Sequence, residues 1–252
     1  MVNTASNLNF VNIPFYKKND IAIVSVKNAE EGLVAAKKII YHVVDKNTAF
    51  FLSGGISPKS LYEDLAKEKR LLPGIVAVVD ERFGMPFHKN SNEKMIKVTG
   101  LIDYLEANGI RFEKVLKTDE RSTNNSLENT AFIYNKKVQD ILLRFQTKVA
   151  IMGIGGDGHT ASLPAGGQRS KVKGQNYVVS ISDFSGEFKE RVTLTYRALS
   201  EMDLLIVLVF GEDKKRGLQK VFTKGTIEEI PSRFYKEPEI AKKTVVIIDQ
   251  KI

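Results

Sequence analysis

Asp157-Gly158-His159 follows the run Val149-Ala150-Ile151-Met152-Gly153-Ile154-Gly155-Gly156 and precedes Thr160-Ala161-Ser162-Leu163. Histidine is the side chain best matched to proton transfer near neutral pH, and a carboxylate beside it can fix its tautomer and raise its basicity. Glycines at 153, 155, 156 and 158 let the chain turn sharply beyond a buried apolar run and present Asp157 and His159 together. The combination predicts an acid-base site. The other two histidines are read differently: His42 lies in an amphipathic segment and is structural, and His88 is a loop residue in Pro86-Phe87-His88-Lys89. With no cysteine in the chain, thiolate metal sites and cysteine nucleophiles are excluded, and the few histidines predict no metal.

Two further turns carry residues of chemical interest. Phe50-Phe51-Leu52-Ser53-Gly54-Gly55-Ile56-Ser57-Pro58 reads as a strand running through a Gly-Gly turn into a helix with a proline near its start. Free N–H groups at a helix start favour an anion, although such a turn serves equally as a tight connection. In Ile75-Val76-Ala77-Val78-Val79-Asp80-Glu81-Arg82 three charges follow an apolar strand. They could orient a polar ligand, or Arg82 could simply pair with a neighbouring carboxylate. Ser91-Asn92 is placed to cap the next helix or to meet ligand, and capping is the default for such a pair.

These turns need a scaffold, and the apolar periodicity supplies one. Short β-branched or apolar runs at 21–26, 48–52, 75–79, 148–152, 177–181, 204–210 and 244–248 predict strands. Amphipathic segments at 30–44, 61–65, 93–105, 129–145 and 214–222 predict helices, the first with Leu33, Ala36, Ile40 and Val43/Val44 on its buried face. Alternation of the two predicts an α/β fold with a mostly parallel sheet flanked by helices, Rossmann-like, whose ligand site lies beyond the carboxyl ends of the strands. At 252 residues, with 42% hydrophobic and 27% charged residues and no internal linker, the chain is expected to form one domain over 1–252.

A net charge of +8 raises the question of nucleic acid, but the basic residues are scattered without a helix-turn-helix or zinc-finger signature. A general attraction for anionic metabolites is expected instead, with no nucleic-acid partner. No apolar run approaches the roughly 20 residues needed to span a bilayer, and no export signal is read at the N-terminus. The expectation is a cytoplasmic protein without a membrane partner, with its oligomeric state left open.

Taken together, Ser53-Gly54-Gly55-Ile56-Ser57-Pro58, Asp80-Glu81-Arg82 with Ser91-Asn92, Gly153 to Leu163, Arg191-Val192-Thr193-Leu194-Thr195 and Gly211-Glu212-Asp213-Lys214 resemble the 6-phosphogluconolactonases, and more weakly the glucosamine-6-phosphate deaminases. The resemblance implies a fold of the sugar-phosphate isomerase/deaminase type and hydrolysis of 6-phosphoglucono-1,5-lactone to 6-phosphogluconate, in the oxidative pentose phosphate pathway, without a cofactor. It implies that His159 is the catalytic base and that the Gly-Gly loop and basic side chains hold phosphate: Gly54, Gly55, Ser57, Arg191 and Lys214. Asp157 would orient the imidazole and Arg82 would stabilise the oxyanion, with Ser53, Asp80, Asn92 and Gly155 also facing substrate. The family usually has Ser-Thr where this chain has Ile56-Ser57, and Leu-Phe-Pro where it has Leu163-Pro164. Two other readings are a deaminase and a catalytically silent sugar-phosphate sensor. The deaminases carry a glutamate where this chain has Pro164, which cannot ionise, and a sensor would normally carry an additional partner-binding module.

Overall fold

The computed structural model describes residues 11–116, 126–165, 174–185 and 187–250. After a short hairpin, β1 (Tyr16–Lys18) and β2 (Ile21–Ser25), helix α1 (Ala29–Val43) begins where the Asn28 side chain accepts the Glu31 N–H at 2.9 Å. Its buried face comprises Gly32, Ala35, Ala36, Ile39 and Ile40, rotated from the expected one so that Leu33 turns toward a cavity. The chain continues through β3 (Thr48–Leu52), α2 (Ile56–Glu68), β4 (Ile75–Val78) and β5 (Asp80–Arg82). Next come α3 (Asn92–Val98), α4 (Leu101–Ala107), β6 (Phe112–Glu113), α5 (Leu127–Arg144) and β7 (Thr147–Gly153). The remainder is β8 (Val178–Ile181), β9 (Arg191–Leu194), α6 (Tyr196–Ser200), β10 (Leu204–Val209), α7 (Glu212–Val221), a 3-10 turn at Pro231–Lys236, α8 (Pro238–Ala241) and β11 (Thr244–Ile248).

Among the described residues one sheet has the order β1-β2-β11-β10-β7-β3-β4-β6, parallel throughout except for the β1–β2 hairpin. β3, β4, β10 and β11 are buried along their whole length, as expected of strands covered on both faces. The chain builds outward from β3 to β4 and β6, then returns to β7 and builds the other way through β10 and β11. The reversal lies between β3 and β7, which pair side by side. In open α/β sheets the crevice beyond such a reversal is where ligands bind. Beyond β3 stands Ser53-Gly54-Gly55, and beyond β7 stands the glycine-rich turn leading to His159.

Three details differ from the periodicity reading. The run at 177–181 does not join the large sheet: β8 pairs antiparallel with β9, which pairs antiparallel with β5, forming a separate three-stranded sheet. Asp80-Glu81-Arg82 is therefore a strand, because the chain leaves the large sheet at Val79 and enters the small one without a break. The helix expected over 93–105 is two helices, since Gly100 takes a left-handed conformation (φ 80°) at the start of α4. No helix of the described residues is long and apolar enough to cross a membrane.

Candidate active site

The turn after β7 is held by its own backbone and from outside. Gly155 N–H donates to the His159 carbonyl at 2.9 Å, and Gly158 N–H to the Gly155 carbonyl at 2.9 Å, with Gly158 at φ 97°. Ser232 N–H donates to the Gly158 carbonyl at 3.0 Å, and Lys220 Nζ to the Asp157 carbonyl at 2.9 Å. The buried hydroxyls of Thr160 and Tyr235 lie 2.5 Å apart. Within this frame Asp157 Oδ1 accepts the His159 backbone N–H at 3.1 Å and lies 2.6 Å from Nδ1 of the same residue. The hydrogen bond from His159 holds the Asp157 carboxyl well below the usual carboxylate range, so it is an anion and Nδ1 carries the shared proton. Nε2 is then the basic nitrogen. A methyl group on Gly155 would overlap Cε1 and Nδ1 of His159, so only glycine leaves room for the ring here.

Across the crevice β5 carries Asp80, Glu81 and Arg82, each with a different fate. Glu81 points into the fold, where its carboxylate accepts Arg82 N–H at 2.6 Å, Ser91 Oγ–H at 2.9 Å, and Asn92 and Glu93 N–H at 2.8 Å each. It anchors the start of α3 and does not line the cavity. Ser91 caps that helix by accepting the Lys94 N–H. Asn92 gives both ends of its amide to β5: Oδ1 accepts from Arg82 Nη1 at 2.7 Å, and Nδ2 donates to the Asp80 carbonyl at 2.7 Å. Arg82 Nη1 also donates to the Asn90 carbonyl at 2.9 Å, so the guanidinium is fixed by amides and not by the neighbouring carboxylate. Gly54 has no room for a side chain because Asn92 fills that space. Asp80 Oδ2 accepts the Ser162 hydroxyl at 2.6 Å, tying β5 to the His159 turn.

Behind this platform Glu93 is fully buried. Its Oε1 accepts Val115 N–H at 2.6 Å and Leu116 N–H at 3.2 Å, while Oε2 has no hydrogen-bond partner among the described residues. Burial, reinforced by the nearby Glu81 charge, pushes its carboxyl up to about 8.

The remaining cationic groups arrive from distant parts of the chain. Arg191, on β9, is buried and donates from Nε to the Phe188 carbonyl at 2.7 Å. Burial depresses its affinity for a proton, Arg82 adds to the effect, and Asp80 opposes it. The Glu81 carboxylate opposes it as well, so the two guanidiniums stand beside two carboxylates. Lys214 stands in the first turn of α7, 3.3 Å from Asp213. Helix α2 starts at Gly55 (φ 112°) with no side-chain cap and no acidic residue in its first turn. Its N-terminal N–H groups are thus available to an anion. Next to it Ser53 has a buried hydroxyl without a partner among the described residues, while its carbonyl accepts from Tyr62 at 2.9 Å.

Ser53, Gly54, Gly55, Ser57, Asp80, Arg82, Asn92, Gly155, His159, Arg191 and Lys214 line one cavity of about 750 Å³. Asp157 stands behind the imidazole. The sequence reading missed the apolar part of the lining: Phe184 and Phe188 from the β8–β9 connection, together with Leu33, Ile56 and Phe210. No spacing or motif marks those phenylalanines. His88 stays in its loop, within 3.0 Å of the Arg82 carbonyl. Among the described residues no group of three His, Asp or Glu side chains is placed to hold a metal ion.

Residues 27–246 match the family described as glucosamine-6-phosphate isomerases/6-phosphogluconolactonase. A 6-phosphogluconolactonase of Nostoc sp. is 30% identical over 190 residues, 73% of this chain and 75% of that protein. One from Thermotoga maritima is 26% identical over 214 residues, covering 80% and 83% of the two chains. Among solved structures, a 6-phosphogluconolactonase from Plasmodium vivax superposes with a TM-score of 0.73 at 18% identity over 97% of this chain and 95% of that one. With the α/β topology and the family model in agreement over most of its length, the chain belongs to the glucosamine-6-phosphate isomerase/6-phosphogluconolactonase family.

Proposed function

We propose that this protein hydrolyses 6-phosphoglucono-1,5-lactone to 6-phosphogluconate, with His159 as general base. The observation that carries the reading is the Asp157–His159 pair at a cavity shared with Arg82, Arg191 and Lys214. The names of the relatives support it independently. The phosphate would sit at the uncapped start of α2 against Gly54, Gly55 and Ser57, within reach of Arg191 and Lys214, and the Ser53 hydroxyl would gain a ligand oxygen. Water then attacks the ester carbonyl as its proton passes to Nε2, and the oxyanion that forms is stabilised by Arg82. Collapse expels the ring oxygen, which takes the proton back from the imidazolium, leaving an open-chain acid. Asp157 keeps the imidazole in the required tautomer and stabilises the transient cation.

The test is acid release from the phosphorylated lactone in a pH-stat, corrected for spontaneous hydrolysis. Wild type should accelerate it, and His159→Ala should lose roughly 100- to 10,000-fold in rate with the fold intact. A folded His159→Ala variant with nearly full activity would remove the base assignment, and an inactive wild type would remove the lactonase reading. Ammonia release from glucosamine 6-phosphate would instead identify a deaminase.

A further inference from the structure

The hydrogen bond to Asp157 restrains the imidazole of His159 at Nδ1, one corner of the ring. Packing on the rest of the ring helps to hold the direction of Nε2. On one side Gly155 leaves space. On another the Phe184 ring meets the imidazole at 5.3 Å between centroids, with the two planes at 87°. Such edge-to-face packing is the preferred arrangement of two aromatic rings. Phe184 also carries the Arg191 guanidinium, whose Cζ lies 4.5 Å from its ring centroid. Arg191 is bound in addition to the Phe188 carbonyl of the same connection. Phe184 is itself held, since it is buried and its N–H donates to the Lys189 carbonyl at 3.0 Å.

We infer that Phe184 is a positioning residue that aims the imidazole of His159 and seats Arg191, so that the base and the anion-binding cation are registered by one ring. The inference deepens the lactonase reading and rests on it for its kinetic consequences. It has a structural consequence that does not require turnover. Without an aromatic ring at 184, the His159 imidazole should sample more than one orientation, and Arg191 should lose its platform.

The experiment compares Phe184→Leu, which keeps much of the apolar volume, with Phe184→Tyr, which keeps the ring. Each is checked by thermal melting, assayed on the phosphorylated lactone, and examined by imidazole ¹⁵N NMR with His159→Ala for assignment. Phe184→Leu should fall by about tenfold to 100-fold in kcat, as expected when a reacting group is misplaced, and KM should rise through Arg191. Its His159 imidazole signals should broaden or double, whereas Phe184→Tyr should restore sharp signals and most of kcat. A folded Phe184→Leu with a single sharp His159 signal set, or equal kinetic loss in both variants, would overturn the inference. If wild type fails to hydrolyse the lactone while the NMR contrast persists, the function fails and the positioning role stands. Should neither variant fold, the NMR contrast is read in Phe184→Met, on the same criterion.

Discussion

At the scale of single residues, the site depends on groups that can occupy only one place. Gly155 is the clearest. Because a methyl group there meets the His159 ring, Gly155→Ala must displace the imidazole while leaving the surrounding strands intact. A loss of kcat on the order of 100-fold is expected, with little change in melting temperature. Full activity would show that the ring has another way to fit. Asp157→Asn probes the same ring from its other end. The ionised Asp157 specifies the proton on Nδ1, and an amide can as readily place its NH₂ there and put the proton on Nε2. The variant should lose most of its turnover while still binding the phosphorylated product, which titration calorimetry would read directly. Since Asp157 is ionised far into the acid range, any loss of wild-type rate on mild acidification belongs to a different group.

Elements position these residues, and α3 shows how. Glu81 anchors its first turn, and through Asn92 that turn fixes Arg82. The neighbouring Glu93 makes this arrangement sensitive to pH. Its folded value of about 8 lies above its ordinary value of 4.5. The stabilisation from keeping it protonated is therefore complete below about 4.5 and is lost as pH rises through 8. The Glu81 and Lys114 charges act on it in opposite directions, and that of Glu81 has the larger effect. Glu93→Gln keeps an acceptor for the Val115 and Leu116 N–H groups and has no proton to lose. Its melting temperature should fall less than that of wild type between pH 5 and 8, and at pH 8 the variant should be the more stable of the two. Parallel curves for the two proteins would mean that Glu93 ionises without strain.

For the molecule as a whole, the notable feature is convergence. The Gly-Gly turn follows β3, Arg191 lies on β9 in the smaller sheet, and Lys214 lies on α7, yet all border one cavity. If they hold phosphate together, losing either cation should weaken use of the phosphorylated lactone by roughly tenfold or more, since a charge-assisted hydrogen bond is worth about 1.5–3 kcal/mol. Arg191→Ala and Lys214→Ala should barely alter the slower hydrolysis of the unphosphorylated lactone, where the anion is missing. Equal losses in kcat/KM on both substrates would place the phosphate elsewhere. Added salt should reproduce the effect only in part, because a ligand enclosed by backbone N–H groups is less screened than an exposed pair.

Much of this was legible in the sequence because it is local chemistry. Apolar runs specify buried strands, a Gly-Gly turn before Pro58 specifies a strand-to-helix corner, and Asp157 with His159 two residues apart must be neighbours on any tight turn. Their common cavity follows from the carboxyl ends of a parallel sheet, a rule of connection that needs no side-chain detail. What required the tertiary structure was every decision made by partners distant in sequence. Runs of similar composition went to different sheets, 204–210 to the large one and 177–181 to the small one, because pairing depends on which edge is open when packing is complete. Glu81 and Arg82 are adjacent and oppositely charged, yet strand alternation sends one into the fold and the other to the cavity. Phe184 carries no signal at all, since its importance comes from meeting His159 and Arg191 in space, and aromatic contact leaves no spacing in the chain.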